Sequence, residues 1–180
     1  MQMTNKTISD TDVKLLAAIA STLEADYIDA EDPWAGSPFA WIKTRPSRQI
    51  GKIGEQLVAG WCAAKGLAVG AATGSDADRL INGKRMEIKF STEWKAGGYK
   101  FQQIRDQDYQ FVVCLGLRPF DAHCWVIPKR EAWNNGQGQH GGRNATDTKW
   151  ISISPDDPPA WIVPWGGTLG RAFKVLTQIK

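Results

Sequence analysis

The sequence predicts an α/β (α+β) fold in which a central β-sheet is flanked by helices. Three observations carry this. Asn82-Gly83 sits between two short β-prone runs and is the strongest two-residue hairpin signal, because both turn positions need positive φ. Tyr109 to Leu117 is nearly all apolar and rich in β-branched residues, the mark of a central buried strand. Residues 10–28 and 48–65 place apolar side chains at helical spacing.

Each element follows in order. Ser9 or Asp10 caps the first helix, where Val13, Leu16, Ala20 and Leu23 form a stripe that Leu15 and Ile19 widen. Pro33, Gly36, Pro38 and Pro46 then exclude a long regular element. Trp34, Phe39 and Trp41 pack that stretch down. Ser47 caps the second helix, which ends at Gly66 and whose main apolar stripe is Ile53, Leu57, Trp61 and Ala64. Its small residues, Gly51, Gly54, Ala59 and Gly60, let a neighbour pack close. Leu67 to Thr73 is a short strand before the hairpin. Phe101 to Arg105 reads as one or two helical turns. Arg118-Pro119 turns the chain, His123 to Ile127 returns as a strand, and Pro128 ends it. Trp150 to Ser154 is a further strand. Thr168 caps a last helix on Leu169, Phe173, Leu176 and Ile179. No repeat or linker divides the chain, so the reading is one domain. It has a helical segment over 1–46, a core over 47–130, and a polar loop with the C-terminal helix over 131–180.

Composition narrows the class. Hydrophobic content of 42% with 23% charged residues is that of a soluble globular chain. No apolar run approaches membrane-spanning length and no basic-then-apolar export pattern opens the sequence, which points to a cytoplasmic protein with no membrane partner. Cys62, Cys114 and Cys124 are odd in number and lack CxxC spacing, which fits reduced thiols better than disulfides or a zinc site. Residues 1–40 carry two basic and seven acidic side chains, whereas the remaining 140 carry 20 basic and 12 acidic. A basic body of net +8 fits a polyanionic partner.

The chemistry concentrates on the hairpin. Counting outwards from Asn82-Gly83, Ile81 opposes Lys84, Leu80 opposes Arg85, Arg79 opposes Met86 and Asp78 opposes Glu87, with Asp76 opposite Lys89. Opposed side chains share a face with Cβ atoms roughly 5 Å apart. Glu87 and Lys89 therefore share one face, while Met86, Ile88 and Phe90 take the other. Two close carboxylates call for a positive charge between them. A hard divalent cation such as Mg²⁺ takes one or two carboxylates and keeps waters for the rest. With a lysine beside it, this is the kit for metal-assisted phosphodiester hydrolysis. The plain alternative is a solvated hairpin whose opposite charges pair across strands.

Asp78, eight intervening residues and then Glu87-Ile88-Lys89 resemble the PD-(D/E)XK nuclease signature, best known from type II restriction endonucleases. Ala77 stands where that signature has its proline, a position often degenerate in the family. The resemblance spans roughly residues 47–127. It implies a restriction-endonuclease-like core with a central mixed β-sheet, Asp78 and Glu87 as Mg²⁺ ligands, the Ile88 carbonyl as a third, and Lys89 poised by the attacking water. Asp76 is a rival for the first carboxylate. Gly54-Glu55 resembles the helix that precedes the active-site sheet in many members, where an acidic residue assists the metal or the lysine. A helical wheel puts Glu55 on the side of Ala59 and Cys62, away from the main stripe, so Glu55 reaches the site only if that side faces the sheet. Gln103, or Gln102, occupies a place similar to a glutamine beside the lysine in many members. The resemblance thus implies a Mg²⁺-dependent, sequence-specific endonuclease of double-stranded DNA, a type II restriction enzyme of a bacterium or phage. Homing, resolvase-like and repair endonucleases share the fold. A non-catalytic nucleic-acid binding module is the alternative, and the intact Asp78, Glu87 and Lys89 speak against it.

Residues 134–149 are polar, glycine-rich and without apolar period. Loops this long inside a compact domain are functional or disordered. Asn, Arg and His read base edges by paired hydrogen bonds, so Asn135, His140, Arg143 and Asn144 are the expected base or phosphate readers. Lys95, between Ser91 and Tyr99, is a further expected DNA contact. One chain of this size holds one site and cuts one strand, so a palindromic duplex implies a homodimer. Nine tryptophans, in excess of core needs, supply its interface.

Overall fold

The structure is a computed structural model that describes residues 10–27, 32–74, 76–94, 96–139 and 148–179. Contacts divide the chain into two units, residues 1–35 and 36–180. The first contains helix α1 (Thr11–Tyr27). Asp10 caps it, its Oδ1 accepting from the backbone N–H of Asp12 and Val13.

The second unit runs α2 (Ala40–Lys43), α3 (Ser47–Ala64), β1 (Val69–Ala71), β2 (Arg79–Ile81), β3 (Lys84–Thr92), β4 (Tyr99–Arg105), β5 (Phe111–Leu117) and β6 (Ala122–Pro128). It continues with α4 (Lys129–Asn135), β7 (Gln137–Gln139), β8 (Thr148–Ile153), β9 (Gly166–Thr168) and α5 (Leu169–Gln178). Six strands form one sheet in the order β1-β2-β3-β5-β6-β9. Its β3–β5 pair is parallel and its other pairs are antiparallel, so the sheet is mixed. A second sheet, β4-β8-β7, is antiparallel throughout. This is the predicted α+β architecture with a central mixed sheet and flanking helices. No helix among the described residues is long and apolar enough to cross a membrane.

The hairpin has the register counted from the sequence: Ile81 pairs with Lys84, Leu80 with Arg85 and Arg79 with Met86. Asn82 and Gly83 take φ of 51° and 75°, the two positive values that this turn requires. Alternation along β3 then sorts the sheet into two faces. Met86, Ile88 and Phe90 point to the side covered by α3, where Val58 and Cys62 are fully buried. Glu87 and Lys89 point to the other side, in register with Val112 and Cys114 of β5. There the second sheet closes over them, with Tyr99, Phe101, Ile104, Ile151 and Ile153 joining Trp125 and Ile127 in one core.

Three sequence expectations are corrected. Phe101 to Arg105 is strand β4 rather than helical turns. Tyr99 and Phe101 are buried, then both Gln102 and Gln103 are exposed, then Ile104 is buried, because a β-bulge interrupts the pairing with β8 between Phe101 and Ile104. The extra residue breaks the period of two and leaves apolar positions three apart, which mimics a helix. Ser47 is the first helical residue of α3, not its cap; Pro46 precedes it, and the Pro46 carbonyl accepts from Gln49 and Ile50. Finally, 134–149 is not one long loop. It holds the end of α4, all of β7 and the first residues of β8. The short strand Gln137–Gln139 has no apolar side chain, so sequence alone gave it no period.

Candidate active site

Strand β2 ends its pairing with β3 at Arg79 and Met86. Asp78 lies just beyond, and its backbone N–H donates to the Met86 carbonyl at 2.9 Å. Its Oδ2 accepts from the Ile88 N–H at 2.7 Å. The carboxylate thus takes the strand bond that β2 no longer supplies, and it is fixed from both ends beside Glu87.

Asp78, Glu87, Ile88 and Lys89 line one open cavity of about 360 Å³ together with Glu55, Lys100, Gln102 and Gln103. The expected catalytic set therefore meets in one place. Asp76 is exposed and does not line this cavity, whereas the rival carboxylate Asp78 does. Lys89 Nζ and Glu87 Oε1 form an ion pair at 2.6 Å. Glu87 itself is only 7% exposed, so this is a carboxylate held largely out of water. Burial raises its pKa above the ordinary value; the charge and hydrogen bond of Lys89 work against that, and the negative charge of Asp78 adds to it. Burial likewise raises Asp78, offset by the Ile88 N–H bond and reinforced by the charge of Glu55.

Glu55 reaches the cavity because α3 faces the sheet with a seam different from the expected one. Its buried residues are Gly54, Val58 and Cys62, one position round from Ile53, Leu57 and Trp61. Those larger residues sit on the flank, where Trp61 meets Phe173 of α5 edge-on. Gly54 explains the choice. A Cβ there would lie 2.3 Å from the Cβ of Phe90, so only glycine allows this approach. Lys52 pairs with Glu55 at 2.7 Å, and Arg79 lies 3.5 Å from the same oxygen. Arg79 also donates to the Asp78 carbonyl at 2.6 Å, which links the helix to the hairpin.

The bulge in β4 aims two consecutive glutamines into the cavity. Gln103 has φ of 57°, a left-handed conformation that a non-glycine residue adopts at a cost of about 1 kcal/mol or more. Strain of this kind persists where the surroundings over-determine it, and functional sites are the common place. Lys100 and Arg79 carry no motif that marks them in the sequence as site residues. Lys100 was legible in principle: with Tyr99 and Phe101 turned inwards, strand alternation puts Lys100 on the glutamine side.

The donor set fits a hard, partly hydrated cation. It consists of oxygen ligands from two adjacent, desolvated carboxylates beside the strand backbone at Ile88, which suffices for Mg²⁺. Among the described residues no group of three or more His, Cys, Asp or Glu side chains is placed to hold a metal, so a closed cage is not what this site offers. The three cysteines are free, buried and away from the cavity lining.

The expected DNA contacts fare differently. Asn135 is the last residue of α4, exposed, with its Nδ2 donating to the Glu131 carbonyl at 2.9 Å. Lys95, His140, Arg143 and Asn144 lie outside the described residues.

No family model and no curated protein sequence matches the chain. Among solved structures the chain is similar to the bacterial homing endonuclease I-Ssp6803I. The identity is 17%, the match covers 74% of this chain and 94% of that one, and the TM-score is 0.52. At that identity the likeness shows a shared fold, and that fold is the mixed sheet with its flanking helices.

Proposed function

We propose that the chain is a Mg²⁺-dependent endonuclease of the PD-(D/E)XK type that hydrolyses phosphodiester bonds at specific sites in double-stranded DNA, as a type II restriction enzyme does. The observation that carries the reading is the meeting of Asp78, Glu87, Ile88 and Lys89 in one open cavity, with both carboxyls raised by burial. Asp78, Glu87 and the Ile88 carbonyl would hold the cation. When bound, Mg²⁺ supplies a Lewis acid for the phosphoryl oxygen and makes water a better nucleophile. Lys89 positions that water and offsets the negative charge that builds on the phosphate. Gln102 and Gln103 donate to its oxygens from the β4 bulge. Glu55, tied to Lys52 and Arg79, steadies Asp78 through the arginine. A homodimer, one site for each strand, gives a double-strand cut.

The fold shared with a homing endonuclease favours one second reading, a homing-type enzyme with the same chemistry. Digestion of a large DNA of known sequence with Mg²⁺, followed by sequencing of the ends, tests both. Repeated discrete ends support restriction activity, and a single site supports homing. Intact DNA at every Mg²⁺ concentration overturns the endonuclease proposal.

A further inference from the structure

Beside the catalytic cavity lies a second groove of about 500 Å³, lined by Trp94, Gly98, Lys100, Trp150, Ser152 and Asp157 among others. Lys100 lines both cavities, so the groove adjoins the site at that side chain. Its ammonium sits 5.6 Å from the ring centre of Trp94 and 3.9 Å from that of Trp150. No carboxylate among the described residues pairs with it. Trp94 is 53% exposed, a large aromatic surface left in water.

The groove is built rather than incidental. Lys100 and Ser152 are register partners, so they share the outer face of the second sheet, and Trp150 follows two residues along that face. Trp94 is held by its turn: its N–H donates to the Gly98 carbonyl at 3.0 Å, and its carbonyl accepts from Gly97 at 2.8 Å. Gly98 has φ of 82°, and a Cβ there would meet the Ile153 carbonyl at 2.7 Å, so the turn is pinned to β8. The Ser91 hydroxyl accepts from the Lys100 N–H at 3.2 Å and ties the same strand to β3.

Two indoles flanking an ammonium make a site for a π-face joined to an anion. Bases stack on tryptophan whatever their sequence, and a lysine beside them takes the phosphate. A base still paired inside a duplex cannot present its face in this way. We propose that the Trp94–Lys100–Trp150 groove takes one unstacked nucleotide of the DNA next to the scissile phosphate. The base lies on an indole, the adjoining phosphate meets Lys100, and Asp157 offers an acceptor for an exocyclic amine. The inference rests on the endonuclease reading and adds to it a substrate feature: a nucleotide extruded, or already unpaired, beside the cut. Its volume falls within the range of ordinary ligand pockets.

A duplex with one unpaired nucleotide has already lost the stacking that extrusion must break, so it binds more tightly. The test compares a fully paired duplex with the same duplex carrying one unpaired 2-aminopurine, titrated with wild-type protein in Ca²⁺. The bulged duplex is expected to bind roughly tenfold more tightly, with quenching of the 2-aminopurine as it stacks. Trp94→Ala and Trp150→Ala should lose the preference and the quenching, and Trp94→Phe should retain both. Equal wild-type affinity for the two duplexes, or a preference unchanged in Trp94→Ala, overturns the groove proposal and leaves the endonuclease reading standing. No binding to either duplex also overturns the groove proposal, while the endonuclease reading is decided separately by the Mg²⁺ digestion.

Discussion

Gly54→Ala and Gly60→Ala are the same substitution in the same helix, and the structure predicts opposite signs. At Gly54 the added Cβ would meet Phe90 at 2.3 Å from Cβ and 2.6 Å from Cγ. Either α3 or Phe90 must then move by about an ångström, because ordinary carbon contacts begin near 3.5 Å. Overpacking of this kind costs about 1–3 kcal/mol, and the gain in helix propensity of about 1 kcal/mol offsets only part of it. At Gly60 the new Cβ meets nothing within 4 Å, so the propensity gain stands alone. The propensity gain is common to both, so the two variants should lie about 1–3 kcal/mol apart, with Gly60→Ala above wild type and Gly54→Ala below it. Urea unfolding reads this as midpoints shifted in opposite directions at constant slope. The Gly54 variant should also lose metal-dependent cutting, since Glu55 moves with the helix and a misplacement of about 1 Å can cost about 10²-fold. If both variants are stabilised alike, α3 does not press on Phe90 and the placement of Glu55 fails with it.

Gln103→Gly should fold as stably as wild type, because glycine accepts φ of 57° freely, whereas Gln103→Val should lose about 1–3 kcal/mol in the same unfolding assay. The raised carboxyls set a pH dependence for the metal-free protein. A carboxyl raised in the folded state stabilises the fold fully below its ordinary value, 3.8 for Asp78 and 4.5 for Glu87, and that contribution is lost as pH rises through the raised value. Mg²⁺ held as proposed needs the deprotonated pair, so the Tm increase it causes should be larger above the raised values of the two carboxyls than below their ordinary 3.8 and 4.5, and should vanish in Asp78→Asn. An equal increase on both sides of that range would detach the metal from these carboxylates. Sedimentation of the protein with DNA should show a dimer; a monomer that only nicks one strand would remove the two-fold arrangement.

Much of the site was legible in the sequence because the hairpin is local. Asn82-Gly83 fixes the register, and the register alone puts Asp78 beside Glu87 and Lys89. What lay further off depended on packing that no period reports. The burial seam of α3 follows Gly54, Val58 and Cys62 because close approach to Phe90 outweighs the larger apolar stripe. The reach of Glu55 therefore depends on tertiary contact. Strand β4 is hidden in the sequence for the opposite reason. Its bulge imposes a spacing that resembles a helix, and the strain at Gln103 has no signature in residue type. Strand β7, three polar residues held by pairing with β8, is defined by its partner rather than by its own composition. The groove joins Lys100 to Trp150, 50 positions further along the chain, through the β4–β8 pairing, with Trp94 on the turn before β4.

The central claim is that the cavity of Asp78, Glu87 and Lys89 hydrolyses DNA, and single-turnover cutting beside a binding titration tests it most directly. Glu87→Gln and Lys89→Ala should each lower the Mg²⁺-dependent cutting rate by about 10²-fold or more while leaving DNA affinity within a few-fold of wild type. Cutting at the wild-type rate by Lys89→Ala would contradict the account.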